Sequence, residues 1–379
     1  MEERSGRTAD GGIERDEMRV RASRLLRDVC RPLDPSAVGW GNDPHSREVR
    51  LPWPTAYALF ASASVRSNVR PLSFELSDRS IDWLLAQPPC ASTGHRLWSL
   101  PYARQIWLDA EPCVPGTGFA VPTAHVLCAL GEAIERGYKP KQALDAAVAS
   151  ARDLVDFCST ELRGERVFWY STLPAHSYHV VNATALIAGE VQRVAALSGI
   201  SELASAADQA VRYVLAEAKD DDGVGAWNYF GRHIPENKAN RRNDLLHEAF
   251  VTHGLLTYAR FGGTYTSDVT PADLQRTLNR FWTTEGIMDF PPSEQNARRR
   301  SQPARAIGLA EALFVSCELG PHGSSSFIEE LVRVLDTDVI AENRFVYRRA
   351  GEDISTYIRT RAHLAVALAA VAAQEHKSV

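Results

Sequence analysis

The segment HSYHVVN gathers His176, Tyr178, His179 and Asn182 within one short stretch. Removing a proton beside a carboxylate calls for these types: a histidine as base, a tyrosine hydroxyl as acid, and an amide or guanidinium to steady the carboxylate. The plainer alternative is a capping or buried histidine whose hydrogen bonds are satisfied. A His-x-x-His metal pair at 176 and 179 has no evident third ligand, and no metal or other cofactor is expected. A second cluster, Asp244, His247 and Glu248, lies in NDLLHEAF. A spacing of three puts Asp244 and His247 on one helical face, and Asp244 equally suits the N-cap of a helix that starts there. As chemistry, Asp244 would be an acid, a base or an acceptor for a sugar hydroxyl, with His247 as its polar neighbour. Glycoside hydrolysis needs two carboxyl groups across one bond, and Asp109, Glu111, Asp244, Glu248 and Asp289 are the candidates.

Aromatic residues recur in the same kind of place: Trp98 and Tyr102, Trp169 and Tyr170, Trp227 and Tyr229, Asp289 with Phe290, Phe345 and Tyr347. They suit stacking on the apolar faces of sugar rings, or plugging gaps where loops cross. The loops are also rich in arginine: Arg241, Arg242, Arg298, Arg299, Arg300, Arg305, Arg348, Arg349, Arg359 and Arg361. Guanidinium groups clamp carboxylate or phosphate bidentately, so Arg242, Arg305 and Arg359 are candidate binders of an acidic sugar or sugar phosphate. Solvated loop charges and salt bridges are the bland alternative.

The elements that must position these residues are helices. Apolar runs end at Gly137, Gly199, Gly262 and Gly320, spaced by about 62, 63 and 58 residues. Glycine there fits a left-handed helix cap, and the near-constant period marks repeated supersecondary units. After each glycine comes a helix with one apolar stripe, as in Leu203, Ala206, Ala207, Ala210, Val211, Val214, Leu215 and Ala218, and in Leu274, Leu278, Phe281 and Trp282. Thr270-Pro271 supplies an N-cap and first-turn proline, and Ser326 with Glu329 a capping box. The partner helices, Val180 to Leu197, Ala249 to Phe261, Ala306 to Leu319 and Ala362 to Ala373, are apolar nearly all round and must be covered on most sides.

Half-wet and fully dry helices in alternation predict an inner ring enclosed by an outer one. Six pairs are expected: 17 to 30 with 54 to 65, 77 to 87 with 119 to 136, 140 to 162 with 178 to 198, 201 to 219 with 244 to 261, 271 to 285 with 304 to 319, and 326 to 340 with 356 to 373. The fold class is therefore all-α, a single (α/α)6 toroid over residues 17–379 after a disordered tail over 1–16, with short strands allowed in the loops. The aromatic and arginine loops precede inner helices, so they gather at one mouth, where helix N-termini add partial positive charge.

Composition is that of a large-cored globular protein, 45% hydrophobic and 23% charged with a formal charge of −5. Nothing in it favours nucleic acid or insertion into a membrane, and with no signal-like segment a cytoplasmic location is expected. The six scattered cysteines read as buried reduced thiols. No G-x-S-x-G, P-loop or G-x-G-x-x-G context occurs.

The stretches YHVVNATALIAGEVQRVAALSG, DDDGVGAWNYFG and NDLLHEAFVTHGLL together resemble the helical toroid proteins of bacterial surface-polysaccharide biosynthesis, and more remotely the (α/α)6 domains of uronyl C5-epimerases and six-hairpin glycosidases. The similarity is clearest over residues 165 to 262. Members carry an Asp-x-x-His at the start of an inner helix, matched by Asp244 and His247, and an Asn heading the preceding one, matched by Asn182; Glu248 stands where relatives often have an aromatic. The resemblance implies work on an acidic glycan or sugar-phosphate intermediate in surface-polysaccharide assembly, of lyase, epimerase or hydrolase type. His179, Asp244, His247 and Tyr178 are the catalytic candidates. Trp98, Tyr102, Trp169, Asn182, Trp227, Tyr229, Arg242, Arg305 and Arg359 are the binding candidates. Two other classes remain open: a non-catalytic glycan-binding or scaffold component with a protein partner in a biosynthetic complex, and a terpenoid-cyclase-like toroid, for which no acidic D-D-x-x-D cluster sits on an inner helix.

Overall fold

The computed structural model describes residues 10–31, 33–42, 50–67, 69–90, 93–103, 113–221, 224–231, 242–291, 302–340 and 357–373. Asp109, Glu111, Arg241, Arg298, Arg299, Arg300, Phe345, Tyr347, Arg348 and Arg349 lie outside the described residues. Among those described, the outer helices are α1 (Asp10–Cys30), α3 (Phe74–Ala86), α5 (Pro140–Phe157), α7 (Ser201–Ala216), α9 (Pro271–Asn279) and α11 (Ser325–Val334). The inner helices are α2 (Pro54–Arg66), α4 (Ala120–Glu135), α6 (Val181–Ser198), α8 (Leu245–Arg260), α10 (Ala306–Glu318) and α12 (Ile358–Ala372).

Each inner helix packs on the next, and α12 returns to pack on α2, so the ring closes. This is the (α/α)6 toroid expected from the alternation of half-wet and dry helices. Burial follows the same pattern: α10 is buried without a break from Ala306 to Cys317, whereas α7 buries Leu203, Ala206, Ala207, Ala210, Val211 and Val214 and leaves its other face wet. An outer helix rests mainly on the inner helix before it in the chain, joined by a tight turn, so that α1 is left to cover α12. The first helix thereby seals the last, with Arg24 Nη2 donating to Asp336 at 2.7 Å across the seam.

The four periodic glycines adopt positive φ of 77°, 71°, 75° and 59°, the left-handed caps that end α4, α6, α8 and α10 before each tight turn. A different constraint acts at Gly189 and Gly254. A Cβ on Gly189 would lie 2.3 Å from the Gly254 carbonyl oxygen, and one on Gly254 2.1 Å from that of Ala185. Backbones of α6 and α8 touch there, midway along each helix, because neither glycine carries a side chain.

Several expected boundaries move. The helix expected from 17 begins at Asp10. Those expected to reach 162, 219 and 285 stop earlier, and the chain turns into two-stranded antiparallel hairpins: β3 (Ser159–Leu162) with β4 (Glu165–Phe168), β5 (Lys219–Asp221) with β6 (Val224–Ala226), and β7 (Trp282–Thr283) with β8 (Gly286–Ile287). Positive φ at Arg163 and Gly164 shows why the first reverses within two residues. A fourth pair, β1 (Trp40–Gly41) with β2 (Leu51–Pro52), precedes α2. Trp282 consequently leaves the apolar stripe and is exposed. Thr270 caps α9 through Asp273 N at 3.1 Å as expected, but the cap of α11 is Ser324, accepting from Phe327 N at 3.3 Å, and Ser326 falls inside the helix. All six cysteines are free and buried.

Candidate functional site

Among the described residues, the segments that lead into α6, α8 and α10 meet at one end of the ring, where backbone hydrogen bonds stitch them to inner-helix starts. Val181 N donates to Tyr229 O at 3.1 Å, Gly231 N to His179 O at 2.8 Å, Asn243 N to Trp227 O at 3.3 Å and Leu245 N to Asp289 O at 3.0 Å. Segments far apart in sequence thus share a mouth.

Among these residues is Asp244, the N-cap of α8. One carboxylate oxygen accepts from His247 N at 3.1 Å, which is the ordinary capping role. The same oxygen lies 2.7 Å from His247 Nδ1, and the other is ion-paired with Arg305 Nη2. Burial opposes the charge on Asp244, but His247 and Arg305 outweigh it and hold the carboxyl well below the usual range, as a fixed anion. An anion at Nδ1 makes that nitrogen the donor and leaves Nε2 of the partly exposed imidazole to exchange a proton. Arg305 is shared, since its Nε also donates to Asp289 Oδ2 at 3.0 Å. Asp289 ties two inner helices together, its carbonyl accepting from Leu245 N and its carboxylate from Arg305 N at 3.3 Å.

Beside this cluster runs a buried polar chain. Asn182 Nδ2 donates to Asn243 Oδ1 at 3.4 Å, and Asn243 Nδ2 to Glu248 Oε2 at 2.9 Å. Asn182 is therefore placed to position Asn243, and Glu248 is occupied inside the wall. Tyr229 packs edge-on to His247 with ring centres 4.8 Å apart.

The other expected residues divide by where they point. Trp98 and Trp227 are buried, and their indole N–H groups donate to Leu84 O at 3.2 Å and Val214 O at 2.8 Å, at the C-terminal ends of outer helices α3 and α7. They plug the layer boundary, and their faces are unavailable for stacking on a sugar. Trp169 is half-buried and donates to Thr160 Oγ1 at 2.8 Å on the β3–β4 hairpin. Tyr102 tilts against Trp53 at 5.3 Å, and the Arg359 guanidinium lies over the Trp53 ring, 5.8 Å from its centre. Arg242 and Tyr178 are half-buried at the starts of α8 and α6. His179 directs its ring edge-on to Tyr213 of outer helix α7, and His176 is fully buried against Ser171 Oγ at 2.7 Å. Arg361 turns from the mouth to the Val29 carbonyl at the end of α1, where burial lowers its pKa to about 10.

Below the mouth the axis is lined by ionisable residues that motif reading passes over. Phe250 leads from His247 down to His125 and His363, whose rings meet edge-to-face at 5.2 Å. Glu311 accepts from His253 Nδ1 at 2.8 Å and His363 Nδ1 at 3.0 Å, and these two contacts hold its carboxyl well below the usual range despite complete burial. His125, buried beside His363, is pushed down to about 3, and its Nε2 has no hydrogen-bond partner. The signal was present in the sequence as ionisable side chains interrupting helices that are otherwise apolar all round.

No family model matches the chain, and no curated protein matches it. Solved structures do. A family 76 glycoside hydrolase (mannosidase) from Bacteroides thetaiotaomicron superposes with a TM-score of 0.64 at 13% identity, covering 94% of this chain and 98% of that one. A cellobiose 2-epimerase from Spirochaeta thermophila gives 0.62 at 14%, covering 94% and 98%. A polysaccharide lyase gives 0.57 at 9%, covering 96% and 98%. Identities this low establish a shared six-hairpin toroid fold and nothing about the reaction.

Proposed function

We propose that this protein is a carbohydrate-active enzyme that binds an acidic sugar at the toroid mouth and moves a proton at it, in the manner of an epimerase or lyase. The observation that carries this reading is the Asp244–His247 pair: a buried, fixed carboxylate 2.7 Å from Nδ1 of an imidazole whose other nitrogen is left for exchange. Such a pair is a general base with its tautomer set. Arg242 and Arg359 at inner-helix starts, together with the positive ends of those helices, favour a carboxylate on the ligand. Hydrolysis by paired carboxylates has less support, because Asp244 and Asp289 are both bound to Arg305 and Asp244 does not carry the proton that a general acid must donate.

That solved toroids of the same fold include structures named as a sugar epimerase, a polysaccharide lyase and glycoside hydrolases agrees with this class of substrate. The earlier likeness to surface-polysaccharide proteins supports a place in glycan assembly. The test is to offer purified protein uronate-containing and neutral oligosaccharides and follow products by NMR. Epimerised or unsaturated product from acidic substrates with wild type, lost in His247→Gln and Asp244→Asn, supports the reading. Equal binding by all three proteins without product would replace it with a non-catalytic glycan-binding role.

A further inference from the structure

Beneath the mouth, three inner helices bring together Cys128 of α4, Glu190 of α6 and His253 of α8, with one ligand-type atom from each lying within 4.8 Å of the others. All three residues are buried, Glu190 almost completely. We propose that this axial cluster is a binding site for a transition-metal dication of the zinc type, held by the Cys128 thiolate, the Glu190 carboxylate and His253 Nε2. The sequence offers no metal site, since His176 and His179 lack a third ligand there and Cys128, Glu190 and His253, isolated in the chain, converge only when the ring closes.

Three features of the structure support the site. Both carboxylate oxygens of Glu190 are buried without a hydrogen-bond partner. Its ion-pair partner, Arg193, comes to 3.4 Å through Nε, while Nη1 of that guanidinium donates to the Cys128 carbonyl at 3.0 Å and lies 3.4 Å from the Cys128 sulfur, and its carbon lies 4.9 Å from the Phe261 ring centre. Arg193 thus pairs with the carboxylate by charge and leaves both of its oxygens without a hydrogen bond. Second, Glu311 occupies His253 Nδ1 at 2.8 Å, which fixes the tautomer and leaves Nε2 to ligate. A carboxylate behind a histidine ligand is the usual outer partner of a metal site. Third, the donor set is mixed sulfur, nitrogen and oxygen, which suits zinc or cobalt and does not suit magnesium or calcium.

Tetrahedral zinc bond lengths place neighbouring ligand atoms about 3.3–3.6 Å apart, so occupancy requires the cluster to contract by roughly 1 Å or less per side chain. Ligation releases the Cys128 thiol proton to solvent, and the resulting thiolate and carboxylate balance the two charges of the ion. A bound ion would tie α4, α6 and α8 together. The inference does not depend on the reaction proposed for that pair.

The test uses full-length protein, stripped with chelator or refolded, then titrated with Co2+ and with Zn2+. Wild type is expected to take up one equivalent of Co2+ with a thiolate-to-metal charge-transfer band, and Zn2+ is expected to displace the Co2+ and raise the melting temperature. Cys128→Ser should lose the band, while Cys30→Ser and Cys317→Ser keep it. Glu190→Gln and His253→Gln should weaken binding at least tenfold. Should Cys128→Ser fail to fold, the glutamine variants and the zinc content of refolded wild type by elemental mass spectrometry decide the matter. Absence of a stoichiometric ion in wild type under both loading routes, or a thiolate band that survives in Cys128→Ser, overturns the proposal.

Discussion

Asp244→Asn isolates what the charge on Asp244 contributes. Asparagine is a good N-cap, so the hydrogen bond from His247 N is kept and the helix start is undisturbed. The variant loses the ion pair with Arg305 and the anion at His247 Nδ1, at a side chain that is only 10% exposed. Removing one partner of a buried pair costs about 3–5 kcal/mol, but Arg305 retains Asp289, so about 2–3 kcal/mol is expected at pH 7. The pH dependence identifies the cause. Asp244 has a folded pKa below its unfolded value, so its stabilisation is complete above about pH 4 and is lost as pH falls further toward the folded pKa. Urea unfolding of both proteins from pH 7 to pH 2.5 should show a constant gap down to about pH 4 and a shrinking gap below it. A gap that does not change with pH, or one under about 1 kcal/mol at pH 7 as for an exposed pair, would refute the reasoning.

Three further outcomes follow from other parts of the ring. His125 is buried neutral with a pKa near 3, so wild type should lose about 2 kcal/mol between pH 7 and pH 5 through this group, and His125→Leu should flatten that slope in denaturant titrations. Gly254→Ala forces a methyl into the Ala185 carbonyl, and calorimetry should show a loss of about 3 kcal/mol or more, or no folded protein. Trp227→Phe removes one buried hydrogen bond to Val214 O and should cost about 1 kcal/mol in stability while leaving ligand affinity unchanged; a large loss of affinity would return Trp227 to the binding surface.

The architecture was legible because it is written in local periodicity. Left-handed caps at Gly137, Gly199, Gly262 and Gly320, and helices apolar on one side or all sides, are properties of neighbouring residues, and they predict both layers. Helix ends were less legible: Arg163-Gly164 turns the chain into a hairpin that continues the apolar spacing of α5 far enough to resemble more helix. The Asp244–His247 contact could be anticipated from its spacing of three. The Arg305 bridge to Asp244 and Asp289 could not, since it joins loops of different repeats through tertiary geometry. Tryptophans 98 and 227 sit at repeat-equivalent positions because each seals the same kind of junction with an outer helix. The axial residues His125, Glu190, His253, Glu311 and His363 stand one to each of five inner helices, and only closure of the ring assembles them.

Proton transfer by His247 at the mouth is tested most directly in D2O. Wild-type protein incubated there with a uronate-containing oligosaccharide that it binds should wash deuterium into the carbon beside the carboxylate, or release unsaturated product, with the signal absent in His247→Gln. Saturating binding with neither deuterium uptake nor elimination in wild type would contradict the account.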